Sequence, residues 1–350
     1  MTRKREPAVT RLAIACAVLI SAPVLAAPQA ATGGFADTIY RNGSILTLDA
    51  HDSIAQALAV RDGAILYVGD DAGARQFIGP RTRIEDLHAG FMMPGLVDGH
   101  MHPLGGGRIL VGCDLKYERL TAQQFQARVQ HCLDVSRSHE PDGWLEAHNW
   151  FQEAMIGGTV LSKATLDALH TRRPILVVSS FGHTALANSR ALQLAHLDAH
   201  TPDPVGGHIE RDAAGGPTGL LQDAAAEPVR AVIPPPTPAD DIRAAEAALA
   251  AMRAQGITTF LDAAASPQTL AAFAGAEKAG ELTARAHFAV VIRPADAGDP
   301  QKAVAAVRAL ARRYDQGPIV PVPHLTVRNV KLFLDGIITA PALTGAMLEP

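Results

Sequence analysis

The residues best able to do chemistry lie in one short segment, FMMPGLVDGHMHPLGGG, at positions 91–107. His100 and His102 are one residue apart, and Asp98 precedes them by two positions. If residues 95–100 form a strand, its side chains alternate between two faces, so Asp98, His100 and His102 share a side. Two imidazoles this close are suited to holding one divalent metal ion. The segment therefore predicts a metal site.

The glycine run that follows the histidines, Gly105 to Gly107, offers a second feature. Glycine has no Cβ, so a backbone that contains it can approach another group closely. We expect this run to let the chain approach the ion or a substrate.

Strands and helices that would position these residues alternate after residue 94, which favours a parallel sheet. Helix signals are clear, because a capping residue, then a proline, then a closing glycine recur in each helix. One helix, for example, is predicted between Thr237 and Gly256. Five apolar strands are predicted, at residues 95–100, 174–181, 257–262, 285–292 and 327–335. A (β/α)8 TIM barrel has eight strands and carries its chemistry at their carboxyl ends, so we expect an incomplete α/β barrel over residues 94–350.

Long connections interrupt this predicted barrel at residues 103–173 and 182–256. Both greatly exceed an ordinary loop of about 2–6 residues, and we expect them to build the wall of the pocket. Before the barrel, residues 36–93 read as a small β-domain of antiparallel hairpins. Its turns are predicted at Asn42-Gly43 and Asp62-Gly63, a strong hairpin signal.

The N-terminus resembles a secretory signal peptide over residues 1–26, followed by a linker at 27–35. Its apolar run is too short to span a bilayer, and nothing later resembles a transmembrane segment, so the protein is expected to be exported. Export implies an oxidising compartment, where Cys113 and Cys132 could pair or remain two buried thiols. The net charge of −4 offers no basic field for nucleic acid.

Several motifs carry a resemblance to a known family. They are PGLVDGHMH (94–102), GHTALANSRALQLA (182–195), DPVGGHIERDAAGGPTGLLQDAA (203–225), GITTFLDA (256–263) and VKLFLDGIITAPALTGAMLEP (330–350). In this order they resemble the amidohydrolase superfamily, in its YtcJ-like branch, also called amidohydrolase family 3. The resemblance implies a metal-dependent hydrolase with a barrel beside a small β-sandwich. It also implies one or two divalent ions, zinc foremost, and attack of an activated water on non-peptide C–N bonds in a small amide-type molecule.

The resemblance also implies roles for particular residues. His100 and His102 would bind metal, and Lys331 would join them, carboxylated if its strand is buried enough to lower the lysine pKa. A lysine that reaches solvent from the strand end is the alternative. His183 would contact substrate or the developing oxyanion, or else play a structural part. Asp98, Asp262 and Asp335 are expected to support the metal ligands without binding the ion, although helix capping is the alternative for the last two.

The family's remaining ligands are two later histidines and a late aspartate that acts as the general base. No motif of this chain matches them, so the general base is expected beyond residue 350. Two alternatives therefore stay open. One is a truncated, inactive amidohydrolase fragment with residual metal affinity. The other, weaker, is a periplasmic solute-binding protein.

Overall fold

The computed structural model describes residues 34–136, 143–180, 182–293, 296 and 298–333. Contacts along the chain divide it into two units, and the boundary in the sequence lies between Met93 and Pro94. The predicted signal peptide lies outside the described residues. Within the described ranges, no helix combines the length and the apolar character needed to cross a membrane.

The first unit is built from two small sheets. Its strands are β1 (Thr38–Arg41), β2 (Ser44–Leu46), β3 (Ile54–Ala55), β4 (Ala57–Arg61), β5 (Ala64–Gly69), β6 (Arg83–Asp86) and β7 (Phe91–Met92), with helix α1 (Asp71–Ala74) and a 3-10 turn (Arg75–Phe77) after β5. One sheet has the order β5-β4-β1-β6 and the other β3-β2-β7. The first packs on a core around the fully buried Ile39 and Ala59.

The two predicted hairpin turns had different outcomes. Asp62-Gly63 joins the antiparallel strands β4 and β5, with φ of 51° and 74°, as predicted. The hairpin at Asn42-Gly43 was wrong, because β1 pairs with β4 and β6 whereas β2 pairs with β3 and β7. Asn42, at a φ of 56°, lies where the chain leaves one sheet for the other, and its side-chain amide donates to Asp86 at 2.8 Å. The unit is also not made of antiparallel hairpins alone, since β1 with β6 and β2 with β7 are parallel.

The second unit contains two larger sheets and the remaining helices. In chain order its elements are β8 (Leu96–Met101), α2 (Pro103–Val111), β9 (Cys113–Asp114), α3 (Ala122–Ser136), β10 (Leu145–Trp150), a 3-10 turn (Gln152–Ala154), α4 (Lys163–Asp167), β11 (Ile175–Ser179), β12 (Thr184–Ala187), α5 (Ser189–Leu194), β13 (Gly207–Arg211), β14 (Pro217–Asp223), a 3-10 turn (Ala224–Ala226), α6 (Glu227–Ala231), α7 (Pro238–Ala254), β15 (Ile257–Ala265), α8 (Pro267–Lys278), β16 (Arg285–Ile292), α9 (Pro300–Tyr314) and β17 (Leu325–Leu332).

The sheet that carries the histidine segment is parallel, with the strand order β17-β16-β15-β8. Its core holds three fully buried rings, those of Phe260, Phe273 and Phe288, whose centroids lie 5.5 to 6.0 Å apart. The predicted helices are confirmed, since Thr237, Ser266 and Asp299 cap α7, α8 and α9, each with a proline in the first turn. The fold is therefore mixed α/β, as predicted.

The count of five barrel strands was wrong. The described part of this parallel sheet has four strands, because Ile175–Ser179 belongs to a separate sheet of order β13-β14-β12-β11-β10-β9. An apolar run predicts a buried strand but does not say which partner it will pair with. The two predicted insertions are consequently one excursion between β8 and β15, with hydrophobic cores of its own. No closed barrel is formed by the residues described.

The question of the two cysteines is resolved in favour of pairing. Cys113 on β9 and Cys132 on α3 form a disulfide, with their Cα atoms 5.6 Å apart. The bond ties the outer strand of the six-stranded sheet to the helix that covers it.

Candidate functional site

The two histidines lie at the carboxyl end of β8. His100 is within the strand, whereas His102 follows it and precedes the first turn of α2, where Pro103 stands. Their rings meet edge to face, with centroids 5.5 Å apart. Asp98 accepts a hydrogen bond from the His100 backbone N–H at 3.0 Å. Asp98 therefore holds the backbone of this segment rather than an imidazole.

A buried carboxylate stands behind His102. Asp262 lies on the neighbouring strand β15, opposite Met101, and is only 2% exposed. One of its oxygens is 3.6 Å from His102 Nδ1 and accepts a hydrogen bond from the Ala264 N–H at 3.0 Å. Burial raises the pKa of the Asp262 carboxyl, while the Ala264 N–H and His102 act in the opposite direction. With Nδ1 turned toward this carboxylate, Nε2 of the half-exposed His102 is left for another partner.

The chemistry of these groups fits a divalent ion in part. Neutral imidazoles are preferred zinc ligands, and a carboxylate beside Nδ1 is the usual support for a ligand histidine. The described residues contain no group of three or more His, Cys, Asp or Glu side chains that could share an ion. His100 and His102 could thus supply two ligands, and Asp262 is placed to support one of them.

Lys331 lies on β17, which is separated from β8 by β15 and β16. The predicted burial of its strand end was wrong: Val330 and Leu332 are each 49% exposed, because β17 is an outer strand of the described sheet. The Lys331 ammonium lies 5.0 Å from the centroid of the Phe333 ring. No described contact joins Lys331 to the two histidines. Asp335 lies outside the described residues.

His183 follows β11 and precedes β12, in the six-stranded sheet. Its Nδ1 lies 2.7 Å from an oxygen of Asp223, at the end of β14. The structure describes no hydrogen bond or ring contact between His183 and the histidine pair of β8. Sequence reasoning missed Asp223, although it lies inside the segment GLLQDAA that had been singled out for its resemblance.

The glycine run after His102 has a packing role at one position. A Cβ on Gly107 would lie 1.9 Å from the carbonyl oxygen of Ala244, so Gly107 allows α2 to pack directly on α7. A Cβ on Gly105 or Gly106 would meet open space. Arg108 strengthens the same contact with two hydrogen bonds to the buried Asp241, at 2.7 and 3.0 Å. The close approach at Gly107 is therefore to another helix.

A histidine pair at the carboxyl end of a parallel strand, backed by a buried carboxylate, is typical of metal-dependent hydrolases built on α/β sheets. The chain belongs to the Amidohydrolase family, whose sequence profile matches residues 83–348. Putative amidohydrolase YtcJ of Bacillus subtilis is 33% identical over 198 residues, 56% of this chain and 37% of the relative. The resemblance read from the motifs is thereby confirmed.

Two further comparisons concern chemistry and fold. The N-substituted formamide deformylase of Arthrobacter pascens is 30% identical over 192 residues, 54% of this chain and 35% of that protein. The crystal structure of an uncharacterized metal-dependent hydrolase from Pyrococcus furiosus shares the fold, with a TM-score of 0.62 at 21% identity, over 86% of this chain and 57% of that one. The chain spans between 33% and 66% of the length of four curated relatives that it matches.

Proposed function

We propose that this chain is part of a metal-dependent hydrolase that cleaves carbon–nitrogen bonds other than peptide bonds. The substrates would be small amides, cyclic amides or N-acyl compounds. The observation that carries the proposal is the pair His100 and His102 at the carboxyl end of β8, with Asp262 buried behind it. The relative named as an N-substituted formamide deformylase supports the C–N bond as the target.

His100 and His102 would hold the ion, which we propose to be zinc, as one or two ions. When bound, zinc lowers the pKa of a coordinated water toward about 7 and so supplies a nucleophile at neutral pH. Asp262 would accept a hydrogen bond from the Nδ1–H of His102 and fix its ring, which leaves Nε2 unprotonated for the ion. Asp98 would hold the backbone between the two ligands through its bond to the His100 N–H.

The remaining predicted residues, His183, Lys331 and Asp335, are included in the proposal and are supported to different degrees. His183 is proposed to act on the substrate from the turn between β11 and β12. Lys331, carboxylated or not, is proposed as a further ligand from the carboxyl end of β17. Asp335 is proposed to support a metal ligand without binding the ion, and the general base has no candidate among the motifs of this chain.

We also propose that the protein is exported. The leader-like residues 1–26 support this, and so does the disulfide between Cys113 and Cys132, which suits an oxidising compartment. Mass spectrometry of the protein recovered from the periplasm or medium of its own cells tests the proposal. An N-terminus beginning near Ala27 is expected, and an intact Met1 in the cytoplasm would contradict it.

The hydrolase proposal is tested with the full chain, zinc, and a panel of N-formyl amines, N-acyl amino acids and cyclic amides. Release of amine is expected to cease with a chelator and to fall at least about 100-fold in His100→Ala and His102→Ala. His208→Ala is the matched control, since His208 is an exposed histidine on β13 in the other sheet. Hydrolysis that survives both substitutions and the chelator would contradict the proposal.

A further inference from the structure

The first unit contains a cleft that the proposed hydrolase site does not use. Strands β1 and β6 form its floor, and α1 with the 3-10 turn that follows forms its side. The volume of the cleft is about 250 Å³. Ligand pockets usually measure about 300–1,000 Å³, so a molecule that fits this cleft is small.

The floor of the cleft combines an apolar row and a charged row. β1 and β6 are parallel, and Ile39 lies opposite Ile84. Two positions further along, Arg41 lies opposite Asp86. Side chains two apart on a strand share a face, so these four lie on one side of the sheet, and all four line the cleft. Ile39 is buried, whereas Ile84 is 40% exposed. The floor therefore suits a ligand that has an apolar part beside a charged part.

Arg41 lacks the ion pair that its position favours. Opposite charges on facing residues of neighbouring strands commonly pair. The Asp86 carboxylate instead accepts from the His88 N–H at 2.7 Å and from the Asn42 side-chain amide at 2.8 Å. These two bonds hold the pKa of the Asp86 carboxyl below its usual value, and Arg41 adds to this only through its charge. Within the ranges that the structure describes, the Arg41 guanidinium makes no hydrogen bond or ion pair.

Arg75 brings a second guanidinium to the same cleft. It begins the 3-10 turn after α1, and no hydrogen bond or ion pair of its side chain is found in the described part of the chain. The nearby Asp71 carboxylate accepts from the Asn42 N–H at 3.0 Å. A single exposed arginine without a partner would be ordinary, because water solvates it. Two of them lining one small cleft, over exposed isoleucine side chains, are a site at which hydrogen-bond donors are available.

We propose that this cleft binds a small carboxylate with a compact apolar group. Arg41 and Arg75 would hold the carboxylate, since the planar guanidinium matches its two oxygens with parallel hydrogen bonds. The apolar group would cover Ile84 and Ile78, which is 39% exposed just beyond the 3-10 turn. An inorganic anion would leave the isoleucines uncovered, and a neutral molecule would leave the guanidiniums unused. The site is independent of the proposed hydrolase function and stands if that proposal fails.

The first test measures binding directly in the full chain with 13C-labelled isoleucine methyl groups, by NMR at pH 7 in low salt. Titration with 3-methylbutanoate is expected to shift the Ile78 and Ile84 methyl signals saturably, with a dissociation constant of about 1 mM or below. Acetate lacks the branched group and 3-methylbutan-1-ol lacks the charge, so each should bind at least about fivefold more weakly. The proposal is overturned if about 20 mM 3-methylbutanoate gives no saturable shift, or if the alcohol binds equally well.

The second test removes the charge of each arginine in turn. Arg41→Gln and Arg75→Gln should each weaken the binding of 3-methylbutanoate about 5- to 10-fold. Arg83→Gln is the matched control, because Arg83 lies on β6 with its side chain on the opposite face and pairs with Glu85 at 2.9 Å. It should change the affinity less than about twofold. If Arg41→Gln and Arg75→Gln bind the acid as tightly as Arg83→Gln, the guanidiniums do not hold it and the proposal is wrong.

Two more measurements separate the apolar contact from the charge. Ile84→Thr keeps a β-branched residue on the strand and removes apolar surface, so it should lower the affinity for 3-methylbutanoate toward that for acetate. In the wild type, which needs no variant to fold, raising NaCl from about 50 to about 500 mM should weaken 3-methylbutanoate at least about threefold and leave the alcohol unchanged. Binding of the acid that ignores salt, or that is undiminished in Ile84→Thr, would contradict the proposed site.

Discussion

Removing the Asp262 carboxylate tests the support of the metal site most directly. The carboxylate is buried, fixed by the Ala264 N–H, and 3.6 Å from His102 Nδ1. It can therefore act on an ion held by His102 only through that ring. We expect Asp262→Ala and Asp262→Asn to weaken zinc binding without unfolding the protein.

The expected size follows from what each substitution removes. Loss of an outer-shell partner of a ligand histidine weakens metal binding about 10- to 100-fold, or about 1.4 to 2.8 kcal/mol. Asparagine keeps an oxygen acceptor for Nδ1–H and loses the charge, so Asp262→Asn should lie near the tenfold end. Alanine loses both, so Asp262→Ala should approach the hundredfold end.

Zinc affinity is measured by competition with a chromogenic chelator at pH 7 in low salt, after circular dichroism has shown each variant to be folded. Asp98→Asn is the matched control, because the asparagine oxygen can still accept from the His100 N–H, which is the one hydrogen bond that the Asp98 side chain makes among the described residues. It should change the affinity less than about threefold. The reasoning is refuted if Asp262→Ala binds zinc like the wild type while His102→Ala does not bind it.

Three further predictions concern stability. Burial raises the pKa of Asp262 in the folded protein, so its contribution to stability is present below the unfolded pKa and lost as pH rises through the folded value. As pH rises from about 4, metal-free wild type should therefore lose melting temperature relative to Asp262→Asn, and parallel pH curves would contradict this. Replacing Cys113 and Cys132 together by serine should lower the free energy of unfolding by about 3 kcal/mol, as for a loop of similar length, in urea without reductant. Wild type in reductant is the control, and equal stability of all three samples would show the bond to be inert. Phe260→Ala should cost about 3–5 kcal/mol, since its fully buried ring packs on Phe273 and Phe288, whereas the exposed Phe91→Ala should cost less than about 0.5 kcal/mol in the same urea experiment.

Local features of the fold were readable from the sequence. A cap, a proline and a glycine placed α7, α8 and α9 correctly, because these residues act on the first and last turns of their own helix. Asp62-Gly63 was read correctly for the same reason, since a two-residue hairpin is decided by its two φ angles. The pairing of Ile175–Ser179 was not readable, because every apolar strand offers the same backbone groups to any partner. The hairpin prediction at Asn42-Gly43 was wrong for a similar reason. A turn reverses the chain direction but does not decide the sheet in which the next strand pairs.

The residues of the candidate site also divide into those set by local sequence and those set by the pairing of distant strands. His100 and His102 could be predicted as ligands because their spacing is local, one residue apart at the end of one strand, and that role stays a prediction. Asp262 was predicted to support the site because it ends a strand in the sequence. Its contact with His102, however, depends on the register between β8 and β15. Asp223 was missed because 40 residues separate it from His183. The segment GLLQDAA also contains no residue pattern that predicts a positive φ at Asp223.

The burial of Asp262 lowers the stability of the fold, and its position beside His102 would support a metal site. A carboxylate 98% buried needs compensation, and the described structure provides one backbone N–H and an imidazole beyond hydrogen-bonding distance. An ion on His102 Nε2 would make Nδ1–H a stronger donor, and a shift of a few tenths of an ångström would bring it within reach of the carboxylate. The cost of burying Asp262 would then be recovered only when the metal is bound. The same carboxylate that lowers stability in the metal-free chain would therefore couple folding to occupation of the site.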